Sequence, residues 1–449
     1  MALDMTGGSP AKGIIRFALP LMFSMLLQQL YTFCDSLIVG RFLGAVALTA
    51  TGSAGGLHWF AQNLLGCAVN GFGVALSQRF GTRDREGYRA HLAGATVLAL
   101  GISLAVCVLG TFLPGPALAV LDTPGELLPD ATAYLKVLWL GFWVTALMNI
   151  SSGALLSMGD SRTPLISLAI SSAVNILLDI LVLAFTPLGV VGAALATLVA
   201  QLCAAAWNLR ALLRNGWCIP ERRHFRLRWS VLRELLRLGV PQMVASIVIN
   251  IGGLFVQKII NGYGVLFVMG LSAAQRYFSM LNIVGYGLEV ALGTYVGQNW
   301  GAGQLKRIRQ GTRAAVLMGL GTSLLTGAAA ILGAELLIRF LLPDAPEEAI
   351  RLGTFAFRVL GGFLWGLYML CEFRAALQGM GNAIFPMLSG VSELICRLGA
   401  VLLLPKVMGQ EGLFFTDPGA WIFTMLLMVW GYRRHLRRQE RMMNKDVKP

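Results

Sequence analysis

The chain has 449 residues, 56% of them hydrophobic and 13% charged, with a mean hydropathy of +0.69. Soluble domains carry about 25% charged residues, so a water-soluble globular fold is excluded. The formal net charge of +14 raises the question of nucleic acid, which the positions of the charges decide.

Twelve apolar blocks follow one another, most of about 18 to 28 residues, the length of a bilayer-spanning helix. They lie near residues 14–40, 46–71, 92–113, 131–157, 163–185, 188–209, 235–261, 265–297, 314–342, 350–377, 384–404 and 419–432. The blocks at 46–71 and 265–297 are the least cleanly bounded. The first is too long for a cleavable signal, and no small-residue cleavage site follows it. The expected fold class is an all-α polytopic membrane protein.

Of the 36 Lys and Arg residues, 26 fall in alternate connections: Lys12 and Arg16, Arg79–Arg89, Arg162, Arg210–Arg237, Lys306–Arg313 and the tail Arg433–Lys448. The intervening connections are acidic or neutral, with Asp122, Glu126 and Asp130 in one and Asp344, Glu347 and Glu348 in another. This positive-inside alternation places both termini in the cytoplasm of a cell (inner) membrane protein with an even number of spans. The basic residues read as topology signals and neighbours of membrane lipid, not as a nucleic-acid footprint.

The long hydrophilic connection "RNGWCIPERRHFRLRW" divides the chain into an N-terminal lobe (1–213), a cytoplasmic linker (214–232), a C-terminal lobe (233–436) and a basic tail (437–449) expected to be poorly ordered beyond its first turns. The lobes are copies of each other. A shift of 221 lays Arg16, Pro20 and Met22 on Arg237, Pro241 and Met243. A shift of 220 lays Gly73, Gln78 and Gly81 on Gly293, Gln298 and Gly301, and one of 222 lays Met158, Gly159 and Pro164 on Met380, Gly381 and Pro386. Each lobe then holds six spans, so both enter the membrane from one side. The expected arrangement is two six-helix bundles about a pseudo-twofold axis along the membrane normal, with substrate bound between them and alternating access.

The first block carries one acid, Asp35, in "TFCDSLIVG". An ionisable group in a membrane helix is costly unless it faces protein or water. From the helical rise, Asp35 lies about 28 Å beyond Arg16, Asp179 about 25 Å beyond Arg162, and Thr197 about 20 Å before Arg210. Asn175 is one turn from Asp179, and Gln28 and Tyr31 share the face of Asp35. The repeat puts Val256 and Val401 where Asp35 and Asp179 stand, so the acids belong to the N-terminal half alone. Two close carboxylates in a low dielectric cannot both ionise at low cost. They suit a proton, or a sodium ion with Asn175 and Thr197 as neutral ligands. The alternative is a helix-packing hydrogen-bond cluster in which Asp35 stays neutral.

The P-x14-D first helix, the GxxxxQxxG of residues 73–81 and 293–301, the doubled MGxxxxP and the Asn-x3-Asp helix resemble the multidrug and toxic compound extrusion (MATE) transporters over about residues 10 to 435. The resemblance implies export of cationic, amphipathic drugs and toxic compounds by a secondary antiporter, in exchange for inward H+ or Na+. It implies a cation-coupling site at Asp35, Asn175, Asp179 and Thr197 with Tyr31 nearby; in this reading the first helix repacks about a hinge near Pro20, and no cofactor, metal or enzymatic activity is expected. Small organic cations are the expected partners, and a two-lobed chain is expected to work as a monomer. Some relatives keep coupling acids in the C-terminal lobe; here the seventh block has none.

Further charges mark the C-terminal half. Glu393 and Arg397 stand one turn apart, read first as an ion pair within the helix, with Ser389 on the same face. Glu289 with Arg276, and Glu372 with Arg374 or Arg358, form similar sets. Gln28, Glu289, Glu372, Glu393 and Arg397 are candidate substrate-cavity residues, with Trp139, Trp143, Trp365, Tyr368 and Met369 as candidate adaptable surface. Gly362 and Gly366 read as helix contacts. The four histidines and seven cysteines show no metal or disulfide spacing, and no phosphate-cradling loop indicates an ATP-driven pump. The second reading is a lipid-linked precursor flippase of the same superfamily, for which Arg276, Arg358 and Arg397 would serve a phosphate-bearing headgroup.

Overall fold

The computed structural model describes residues 3–446, so the last residues of the basic tail lie outside the described residues. Among the described residues every regular element is helical. The elements are α1 (Pro10–Gly81), α2 (Arg85–Phe112), α3 (Pro114–Val120), α4 (Leu128–Leu140), α5 (Phe142–Ser157), α6 (Arg162–Phe185), α7 (Gly189–Asn215), α8 (Trp229–Asn261), α9 (Val265–Gly301), α10 (Leu305–Leu341), α11 (Glu347–Gly362), α12 (Leu364–Gly379), α13 (Ile384–Met408) and α14 (Thr416–Asp446). In hydrocarbon the backbone has no water to bond, and the helix meets its donors and acceptors internally.

By length and apolar character seven of these segments cross a bilayer, or nine when the bent pairs α4–α5 (50°) and α11–α12 (43°) each count as one span. The 72-residue α1 and the Ile384–Met442 stretch each hold two spans. The 37-residue α9, made less apolar by Arg276 and Glu289, completes the twelve.

The repeat reaches the backbone. α1 breaks at Gly44 (φ 86, ψ 179), and the repeat-equivalent Gly264 (φ 94, ψ 168) starts α9 in the same conformation. A Cβ is strained there, so glycine ends one span and starts the next at both places. The two bends also correspond, at Gly141 and Phe363, both with ψ near zero (6° and 5°). The copies differ after the third span of each half. α2 stops at Leu113 and the short α3 follows, whereas α10 runs on to Leu341.

The chain forms two compact units, one centred on residues 19–243 and the other on residues 244 onward, which also takes Met5–Ala18. In the first, Tyr88 is fully buried and its hydroxyl donates to the Ala154 carbonyl at 3.0 Å. Gly71 meets the Gly239 backbone so closely that a Cβ would lie 2.5 Å from its Cα. In the second, Gly270 and Gly353 bring α9 and α11 into backbone contact. Gly366 packs against Ile422, while a Cβ on Gly362 would only reach ordinary contact with Ile331. With lipid as apolar as leucine, such close approach is what holds spans together.

Two hydrophilic segments are more ordered than their composition implies. The 214–232 connection folds onto α2: Arg85 donates to the Gly216 carbonyl at 2.7 Å, Arg89 pairs with Glu221 at 2.7 Å, and His224 bonds Glu86 at 2.9 Å. The expectation that the tail loses order after its first turns is corrected: α14 stays helical to Asp446. Its inner face is docked through buried Tyr432 and Leu436, His435 against Asn382 at 3.2 Å, and an Arg309–Glu440 ion pair.

Candidate functional site

Four helices of the first unit bring polar groups to one place. α1 carries Tyr31 and Asp35, and α6 carries Asn175 and Asp179 one turn apart. α7 carries Thr197 and α4 carries Tyr134. α6 and α7 meet across a small-residue face. A Cβ on Gly192 would sit 2.5 Å from Val182, and Ala193, Ala194 and Ala196 are buried beside it. That close approach lets Thr197 reach Asn175.

The Asp35 and Asp179 carboxyls are neighbours. Asn175, one turn from Asp179, donates to Thr197 Oγ1 at 3.5 Å. The Tyr31 side chain reaches Thr197, which itself donates to the Ala193 carbonyl at 3.1 Å. Asn175 and Asp179 are fully buried (0% exposed). Beyond the acids, Ile38, Val39, Leu183 and Ala193 form an apolar cluster, with Leu43, Tyr134 and Ile176 packed against it.

The group is rich in acceptors and poor in donors. Asp35 Oδ1, both Asp179 oxygens and Asn175 Oδ1 are buried with no hydrogen-bond partner. Buried acceptors without donors are costly, and no Lys, Arg or His belongs to the set. A proton on either carboxyl creates the missing donor. A small hard cation would meet the same oxygens directly, in the ligand chemistry such ions favour.

Tyr134 was not among the sequence candidates. Its signal was depth, since it lies one turn inside the acidic connection ending at Asp130. Gln28, by contrast, is exposed, and Pro20 lies within continuous helix.

Glu393 and Arg397 form the expected ion pair within their helix, whereas Glu289 and Glu372 depart from the expected sets. Arg374 pairs with Glu289 at 2.9 Å and approaches Glu393 at 3.6 Å; Arg397 pairs with Glu393 at 3.5 Å and Asp417 at 2.9 Å. The chain of charges thus crosses α9, α12, α13 and α14. Arg374, not Arg276, is the partner of Glu289, because α9 and α12 face each other at that level. Glu372 is buried with both oxygens unpartnered, packed toward Gly319. Arg358 turns to the Ile331 carbonyl. Among the aromatic candidates, Tyr368 is fully buried and donates to Leu281 at 2.6 Å, Trp139 is buried, and Trp143 is exposed.

The comparisons agree with this architecture. The MatE family model matches residues 20–181 and 241–400, once in each half. A probable multidrug resistance protein of Bacillus subtilis, YpnP, is 30% identical over 307 residues, 68% of this chain and 69% of its own. A probable multidrug resistance protein of Thermotoga maritima, NorM, is 27% identical over 92% of this chain and 88% of its own. A crystal structure of MATE in the bent conformation superposes with a TM-score of 0.90 at 22% identity, covering 98% of both chains. Doubled in sequence, in backbone and in its family match, and folded as twelve helices in two lobes, this chain belongs to MATE, a family of multidrug efflux transporters and not of enzymes.

Proposed function

We propose that the protein is a cation-driven antiporter that exports cationic, amphipathic compounds, with inward H+ or Na+ taken up at Asp35, Asp179, Asn175 and Thr197 and with Tyr31 beside them. The observation that carries this reading is the buried Asp35–Asp179 pair, which lacks donors and any basic neighbour. Neutralising it changes the cost of burying the first helix against α6. Pro20 is the hinge about which the outer part of α1 repacks, because proline removes a backbone hydrogen bond there. Loading from outside favours drug release, and ion loss to the cytoplasm resets the transporter. Both termini are assigned to the cytoplasm of the cell membrane, the six-span halves on either side of the 214–232 connection act as the two lobes, and the chain works as a monomer.

The precursor flippase is not favoured. Two of the three arginines it rests on are engaged, Arg397 by two carboxylates and Arg358 by a carbonyl, and the relatives named above are multidrug resistance proteins. The test is ethidium efflux from vesicles of reconstituted protein under separately imposed proton and sodium gradients. Export under one gradient names the ion. Export under neither refutes the proposal.

A further inference from the structure

We propose that the exposed face of α14 is a binding site for an acidic phospholipid, with acyl chains on its apolar part and phosphate on its arginines. The site is independent of the ion-coupling reading and needs only that α14 crosses the membrane.

Phe423, Leu426 and Trp430 follow one another at helical spacing and are 57%, 59% and 52% exposed. The same face continues, beyond Trp430, into Arg433, Arg434, Arg437, Arg438 and Arg441, all exposed. Residues 433 to 441 cover about 12 Å of helix. Along it Trp430, Met442 and the five arginines line an open crevice of about 790 Å³. None of the five has a carboxylate within ion-pair distance among the described residues, whereas Arg309, Arg339, Arg351, Arg374 and Arg397 all do.

This face is held in place by the docked one. Tyr432, His435, Leu436 and Glu440 fix the extension against the unit, so the arginines stand in a set array. Arg434 lies over the Trp430 ring at 5.1 Å, tying the cationic part to the apolar part. All five cations are arginine, whose planar fork matches phosphate oxygens in pairs. An acidic protein segment would satisfy the arginines but not the Phe423–Leu426–Trp430 stripe beneath them. A zwitterionic lipid would satisfy the stripe but leave the positive charge unbalanced. An acidic phospholipid satisfies both.

The test uses the full-length chain purified in detergent, with bound lipid counted by native mass spectrometry after adding phosphatidylglycerol or phosphatidylcholine. Wild type is expected to retain phosphatidylglycerol preferentially, and R433Q/R437Q/R441Q to lose that preference about tenfold while its unfolding temperature in phosphatidylcholine is unchanged. If the triple variant fails to insert, Arg437→Gln and Trp430→Ala report on the same site, each expected to weaken retention severalfold. Equal retention of both lipids by wild type, retention unchanged in the variants, or capture of a Glu-rich peptide in place of phosphatidylglycerol would overturn the proposal.

Discussion

The carboxyl of Asp35 on α1 neighbours that of Asp179 on α6, and Asp35 Oδ1 and both Asp179 oxygens are buried without a hydrogen-bond partner. Two such carboxyls in a low dielectric cannot both ionise at low cost, and the proposed cation uptake there can be tested by substitution. Asp35→Asn supplies a permanent donor and removes the charge that the proposed coupling cycles. Gradient-driven ethidium efflux should fall more than tenfold in this variant, while ethidium still binds the purified protein. Efflux equal to wild type would exclude Asp35 from coupling.

Thr197 joins the group only through its hydroxyl. Thr197→Val keeps the shape and deletes the oxygen, so the spans should pack as before, at a cost of about 1–3 kcal/mol for the buried Asn175 amide left without that acceptor. Efflux should drop severalfold, and for a directly liganded ion the concentration giving half-maximal rate should rise. A change in unfolding temperature without a change in efflux would make Thr197 a packing residue.

Arg374 stands between two acids, Glu289 and Glu393, with 21%, 13% and 6% of the respective side chains exposed. Arg374→Met leaves Glu289 buried and unpaired and Glu393 with Arg397 alone, an expected cost of about 3–5 kcal/mol. Glu289→Gln in the same chain should recover part of that loss. Thermal unfolding of the two single variants and the double variant in detergent tests the coupling; additive effects would show that the residues do not act as a pair.

Glycine contacts give a paired stability test. A Cβ on Gly270 would sit 2.5 Å from the Ala349 carbonyl oxygen, whereas one on Gly101 meets nothing within 4 Å. Gly270→Ala should destabilise by about 1–3 kcal/mol, and Gly101→Ala should be neutral or stabilise by up to about 1 kcal/mol. Similar unfolding temperatures for the two variants would contradict the close α9–α11 approach.

The folded 214–232 connection has a pH dependence of known sign. Glu86 lies ahead of the apolar part of α2, and its carboxyl is held below the usual range, chiefly by the hydrogen bond from His224 and then by the Arg223 charge. A depressed carboxyl contributes stability that is present above its ordinary value and lost as pH falls through its lowered one. Backbone amides of residues 216–226 should therefore exchange faster with solvent as pH drops below about 4.5, after correction for intrinsic rates, and Glu86→Gln should show the faster exchange already at neutral pH. Protection equal to wild type in that variant would remove Glu86 as the anchor.

Much of this architecture is one-dimensional and was readable as such. Span lengths follow from bilayer thickness, the halves from the recurrence of Pro20 at Pro241 and Gly159 at Gly381, and the depths of Asp35, Asp179 and Thr197 from counting residues at a fixed rise. Residues at one depth are brought together only if their helices are neighbours and turn the right faces. The structure does this for Tyr31, Asp35, Asn175, Asp179 and Thr197, adds Tyr134, and leaves Gln28 exposed.

The amino-acid sequence by itself determined which segments cross the membrane, that they come as two copies, and which polar groups share a depth, because hydropathy, repeat and helical rise all act along the chain. Tertiary structure alone decided that Glu289 takes Arg374 and not Arg276, that Asp417 closes the charge chain at Arg397, and that Tyr134 stands by the acids. Those pairings depend on which helices pack together and how each is rotated about its axis. Packing sets that rotation through contacts as local as Gly192 on Val182 and Gly270 on Gly353.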